Sequence, residues 1–161
     1  MVVEVLSEKH IEIVESLAKE IWTEHYTPII GEGQVAYMLR SFQSKRAIAE
    51  QICHGFLYFL IEGDDGFIGY VGVLPKSDEM FLSKLYVKSS HRGKGYGKKT
   101  IHFLETLAQA LGLRKLVLTV NKNNKPAISA YEKIGFRNLG SVVQEIGDGF
   151  VMDDYKMEKY I

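Results

Sequence analysis

The sequence predicts an α+β fold: a mixed, mostly antiparallel sheet of about seven strands flanked by helices. Three observations predict it. The first fifty residues carry apolar positions at helical spacing; three runs rich in β-branched and aromatic residues follow between tight turns; and the remainder alternates helices with short apolar runs. In chain order, Val2 to Leu6 reads as a first strand. Ser7 is a good N-cap and Glu8 puts negative charge in the first turn of a helix at about 8–25, whose apolar face is Ile11, Val14, Leu17 and Ile21. Pro28 and Gly31 interrupt it, and a second helical region runs from Gly33 to His54, broken near Phe42–Ser44 and stopped by Gly55. Phe56 to Glu62 and Phe67 to Leu74 form a hairpin through Gly63-Asp64-Asp65-Gly66, and Met80 to Val87 adds a strand. A helix from about 97, with Ile101, Leu104, Ala108 and Leu111 on one face, ends at Gly112; Lys115 to Val120 is a buried strand after it. Strand, helix and buried strand in that order make a right-handed crossover with two parallel neighbours. Pro126 opens a helix that ends at Gly135, and strands at about 136–146 and 150–159 turn at Gly147-Asp148-Gly149.

A length of 161 residues suits one domain, residues 1–161, with one sizeable core. Twenty Lys and Arg balance twenty Asp and Glu, which argues against a nucleic-acid partner, since that needs a basic surface. The single cysteine, Cys53, excludes a disulfide framework and a cysteine-rich metal site. It has no neighbouring base to activate it and reads as a buried small hydrophobe. His10, His54, His91 and His102 lack paired ligand spacing, so no metal is expected. Met1 to Leu6 is too short for a signal peptide and no apolar run reaches about 20 residues, so no membrane partner is expected and the expected location is cytoplasmic.

The most informative segment is Val87-Lys88-Ser89-Ser90-His91-Arg92-Gly93-Lys94-Gly95-Tyr96-Gly97-Lys98-Lys99. It leaves a strand and enters a helix, where unpaired N–H groups and the dipole favour an anion. Three glycines in five residues let main chain approach a ligand, and no acid falls between Met80 and Leu104. A basic loop on a neutral chain points to a phosphorylated small ligand. It is not a Walker loop, because Arg92 stands where the first glycine is needed, and Gly93, Gly95 and Gly97 are evenly spaced, unlike GxGxxG.

Arg92-Gly93-Lys94-Gly95-Tyr96-Gly97 resembles the Arg/Gln-x-x-Gly-x-Gly/Ala pyrophosphate loop of the GCN5-related N-acetyltransferase (GNAT) superfamily, and Leu85-Tyr86-Val87 resembles the end of its fourth strand. Asn124-Lys125-Pro126-Ala127 with Tyr131 and Gly135-Phe136 matches a second family pattern, so the resemblance covers about 80–136. Trp22, Tyr26 and Tyr37-Met38-Leu39 resemble the subgroup of polyamine acetyltransferases of the PaiA type. The resemblance implies an N-acetyltransferase that moves acetyl from acetyl-CoA to a primary amine, with no metal, and by family habit a homodimer.

It further implies a parallel central pair of strands that splay apart around acetyl-CoA. Backbone groups of Leu85 and Val87, flanking Tyr86, would hold the pantetheine and polarise the thioester. Amides from Arg92 through Gly93, Lys94, Gly95, Tyr96 and Gly97 to Lys98 would take the pyrophosphate, Asn124 would contact the pantetheine side, and Tyr131 would be the general acid. The usual fourth-strand glutamate is replaced by Phe81, which cannot accept a proton. Glu79, Glu24, His25 and Tyr26 are then candidate bases acting through water, and the same gap leaves open a silent acyl-CoA-binding module. A longer acyl-CoA is equally compatible. Ser83 and Lys84 are polar residues in a central strand, facing the cleft or lying where the splay admits water. Trp22, Tyr26, Tyr37 and Phe42 read as core before pocket. Asp64, Asp65, Asp78, Glu79, Asp153 and Asp154 are acids that would attract a cationic acceptor or simply be solvated.

Overall fold

The computed structural model describes residues 1–161. After β1 (Val2–Glu4), the Ser7 hydroxyl caps α1 (Glu8–His25) by accepting from the His10 N–H at 3.2 Å. The first strand stops at Glu4, short of the expected Leu6. Val5 is still buried and its N–H reaches the Tyr58 carbonyl, but Leu6 is 80% exposed as the chain turns out to the cap. Pro28 does not break the helical run outright; it sits in the first turn of a four-residue helix, α2 (Thr27–Ile30), where its missing N–H leaves no bond unmade. Two further helices follow, α3 (Glu32–Phe42) and α4 (Lys45–Cys53), the second capped by Ser44; Cys53 is exposed rather than buried as expected, because it ends α4 where the chain turns through exposed His54 and Gly55.

The remaining elements are β2 (Leu57–Gly63), β3 (Gly66–Lys76), β4 (Glu79–Val87), α5 (Tyr96–Ala110), β5 (Lys115–Asn121), α6 (Lys125–Ile134), β6 (Arg137–Gly147) and β7 (Phe150–Tyr160). They form one seven-stranded sheet in the order β1-β2-β3-β4-β5-β7-β6, antiparallel except for the β4–β5 pair. The expected α+β architecture with a parallel central pair is therefore the observed one.

Two cores lie on the two sheet faces, as strand alternation requires. On one face Phe59, Val71, Val73, Met80, Leu82, Leu116, Leu118 and Met157 pack against Ile101, Leu104 and Ala108 of α5. On the other, Tyr58, Leu60 and Tyr70 pack against α1, α3 and α4 through Val14, Trp22, Val35, Met38 and Ile48. The alternation slips once in β4. Gly72 pairs with Lys84 but Val73 pairs with Leu82, so Ser83 is an extra residue, a β-bulge. Met80 and Leu82 before it face α5, whereas Lys84 and Tyr86 after it face the N-terminal helices. Pairing of β4 with β5 covers Glu79–Leu82 against Lys115–Leu118 and stops at the same point. Beyond it the two strands diverge.

Gly72, beside the bulge, leaves room for the Tyr58 ring, which a Cβ at that position would meet at 3.0 Å. Tyr58 is 1% exposed and its hydroxyl is tied to Gln51 and Lys84, so a shift of its ring disturbs those bonds. Gly72→Ala is expected to destabilise the fold by about 1–3 kcal/mol through overpacking, read as a lowered urea midpoint with unchanged slope.

Candidate active site

The divergence of β4 from β5 opens a cleft of ≈ 970 Å³ that runs from the glycine-rich loop to the underside of α3. Of the residues singled out in the sequence, Leu85, Tyr86, Val87, Arg92, Gly93, Gly95, Tyr96, Gly97, Lys98, Asn124 and Tyr131 line it; Lys94 does not.

At one end stands the loop. A 3₁₀ turn at Ser89–His91 follows β4, and Gly95 caps α5 with φ +86°, a left-handed backbone that suits glycine; Gly93 is likewise at φ +75°. The first α5 hydrogen bond within this cap runs from the Lys99 N–H to the Gly95 carbonyl, so the amides of Tyr96, Gly97 and Lys98 precede any helical acceptor. With the helix dipole and the Lys98 side chain, these amides suit a diphosphate. Arg92 is partly engaged already: its N–H donates to the Ser89 carbonyl at 3.3 Å and its Nε to the Val87 carbonyl at 3.0 Å, leaving the outer guanidinium nitrogens for an anion.

The middle of the cleft is the open edge of β4. The Lys88 N–H bonds to the Ile68 carbonyl on β3, so by two-residue alternation Leu85 and Val87 direct their N–H and C=O groups to the opposite side. That is the side β5 has left. An extended polar chain laid there would find ladder partners in place of a strand.

Beyond this lies a wall of α6 and α1. Tyr131 of α6 is half-buried, packs edge-to-face on Phe136 at 5.4 Å, and has its phenol pushed above the usual range by burial. It is thus a neutral O–H donor at neutral pH. Asn124 is buried and its side chain is held by α1: its Nδ2 donates to the Tyr26 hydroxyl at 3.1 Å and its Oδ1 meets His25 Nε2 at 3.2 Å. Burial first, then the Arg92 guanidinium, lowers the His25 pKa. Trp22 and Tyr26 stack at 4.4 Å and are both core and cleft lining. Phe42 is partly buried and lines the cleft, while Tyr37 packs only on the core side, its hydroxyl donating to the Ile146 carbonyl at 2.7 Å.

Of the candidate bases, Glu79 and Glu24 lie outside the lining, and Phe81 contributes only a ring. Asp64, Asp65 and Asp78 are exposed, and Asp153 is paired with Lys122 at 2.8 Å. Asp154 is different: it is 4% exposed and lines the cleft. Lys84 also resolves. The bulge turns it toward α3 and α4, where Nζ donates to the Phe42 carbonyl at 2.8 Å, to Gln51 Oε1 at 2.7 Å and to the Tyr58 hydroxyl. Burial pulls its pKa down to about 7. No spacing in the sequence marks this knot, because Gln51, Tyr58 and Lys84 come from three separate elements.

The Lys84 shift fixes a pH dependence. Its ordinary value is 10.5, so between about 7 and 10.5 the unfolded chain holds more protons than the folded one. Stability then rises with pH. Urea midpoints of the wild type are expected to climb from pH 7 to 9.5, below the ordinary tyrosine value of 10.0, and Lys84→Met is expected to flatten that climb.

The acetyltransferase (GNAT) family model matches residues 15–136. A spermidine N(1)-acetyltransferase of Thermoplasma acidophilum is 25% identical over 153 residues, 92% of each chain. Human N-acetyltransferase 8B is 27% identical over 77% of this chain, which spans only about half (53%) of that relative's length. The crystal structure of a PaiA N-acetyltransferase from Thermoplasma acidophilum in complex with coenzyme A superposes with a TM-score of 0.83 at 24% identity, covering 100% of this chain and 99% of that one.

Proposed function

We propose, from the premise that this chain belongs to the acetyltransferase (GNAT) family, that it transfers acetyl from acetyl-CoA to a primary amine by direct attack. The acceptor in this reading is a polyamine or a similar small amine, and residues 1–161 act as one domain. The observation that carries the proposal is the opening between β4 and β5, which meets a helix N-terminus with free amides at one end and a neutral tyrosine hydroxyl along its wall. The names of two relatives, one matched over 92% of its length and one over 79%, support the polyamine class.

Each residue then has a task. The Tyr96, Gly97 and Lys98 amides, with Gly93 and Gly95 giving close access, take the diphosphate, and Arg92 adds charge from its outer nitrogens. Leu85 and Val87 hold the pantetheine arm as an added strand. A main-chain N–H from the same edge polarises the thioester carbonyl, and such a donor is commonly worth ~3 kcal/mol in the transition state. Asn124, pinned to Tyr26 and His25, fixes the start of α6 and so the position of Tyr131. Amine attack at the carbonyl carbon expels the thiolate, and the Tyr131 phenol protonates it as the carbon–sulfur bond breaks.

The test is thiol release from acetyl-CoA with a panel of putrescine, spermidine, spermine, an aminoglycoside, free lysine and a lysine peptide. Amine-dependent release is expected. A coenzyme-induced rise in Tm with no amine acetylated overturns the enzymatic reading in favour of a silent binding module. Tyr131→Phe is expected to lower kcat about 100-fold with the coenzyme Kd nearly unchanged. Gly95→Val, strained at φ +86°, is expected to weaken coenzyme binding by more than about tenfold.

A further inference from the structure

The cleft holds one carboxylate. Among all the residues that line it, Asp154 of β7 is the only Asp or Glu, and it stands on the sheet face covered by the N-terminal helices, opposite Asn121 in the ladder. It is 4% exposed and its Oδ1 has no hydrogen-bond partner. A buried, unpaired carboxylate oxygen is costly and calls for a cationic or protic partner. The rest of the fold does not supply one. Lys122, whose charge acts on Asp154, pairs with Asp153 at 2.8 Å, and Thr119 of β5 gives Asp154 a single hydroxyl. From α1, Tyr26 offers only a neutral phenol already bound to Asn124.

The lining carries charges of both signs. Arg92, Lys98 and Lys133 come from the loop and α6, whereas Asp154 stands on β7 near Met152 and Gln144, and both Arg92 and Asp154 act on the Tyr26 phenol. Lys84, the remaining cation, donates to the Phe42 carbonyl, Gln51 and Tyr58 and is thereby committed to α3 and α4.

We infer that Asp154 receives the ammonium of the acceptor and takes its proton before attack, filling the role that Phe81 cannot. The inference rests on the acetyltransferase reading above. One proton passes from the ammonium nitrogen to the Asp154 carboxylate, leaving a neutral amine. The amine nitrogen forms a bond to the thioester carbon, the carbon–sulfur bond breaks, and the thiolate takes the Tyr131 proton. The nitrogen's second proton returns Tyr131 to the phenol, and Asp154 releases its proton to solvent. Amide, thiol and one free proton result. Burial, with Asp153 adding to it, pushes the Asp154 carboxyl up to about 6, within the range where a base exchanges protons near neutrality.

The experiment compares wild type with Asp154→Asn on the fastest amine of the panel. At pH 7, kcat/KM is expected to fall about 100-fold while the acetyl-CoA Kd stays the same. The loss should shrink as pH rises from 7 to 9, because solvent then supplies free amine. Binding of that amine to the CoA-loaded, acyl-free protein, measured by calorimetry, should also weaken about tenfold in the variant. Equal kcat/KM in the two proteins, or a loss that is constant with pH and accompanied by unchanged amine binding, overturns the inference. A wild type that acetylates nothing in the panel overturns the acetyltransferase reading itself. Asp154→Leu, which removes the unpaired oxygen without leaving a polar group, guards against misfolding: retained Tm with lost turnover supports the assignment.

Discussion

One extra residue in a central strand organises this molecule. A regular β4 would pair with β5 along its length and keep Lys84 on the α5 face, inside an aliphatic core with no acceptor for its ammonium. The Ser83 bulge prevents both. It ends the parallel ladder after Leu82 and turns the following residues over, so that Leu85 and Val87 direct main-chain groups to a gap, where the Val87 carbonyl is taken by Arg92 Nε, while Lys84 and Tyr86 face the helices. Main-chain groups left open in this way cannot be satisfied by the fold, which is why the gap suits a ligand able to replace a strand.

The helical layer over that gap is held by polar contacts as much as by apolar ones. Lys84 joins the end of α3 to α4 and β2, and Asn124 joins the start of α6 to α1. Both side chains are buried, and each ties together segments distant in sequence. Their value is geometric: they fix the roof and wall of the cleft relative to the open edge of β4. Aromatic packing of Trp22 on Tyr26, with Tyr86 edge-on at 5.4 Å, fills the space between them.

The cleft lining carries charges of both signs. Backbone amides and the basic loop occupy the end where α5 begins, a local excess of positive potential on a chain with no net charge. A single carboxylate, that of the buried Asp154, also lines the cleft.

Much of this was legible in the residues themselves. Hydrophobic period and turn chemistry located all seven strands and the long helices, because burial and backbone conformation impose those patterns locally. The glycine-rich loop and the Asn124 to Phe136 segment were likewise conspicuous, since both are motifs of particular residues at fixed short spacing, and the structure brings both to the cleft. Asp154 was one acid among six, indistinguishable from solvated Asp64 or Asp153 until the sheet placed it inside the cleft. Lys84 stood in a strand pattern with no sign that a bulge would carry it to Gln51 and Tyr58. Those roles depend on register, on strand order and on which side chains meet across the chain, and these quantities arise only from tertiary packing.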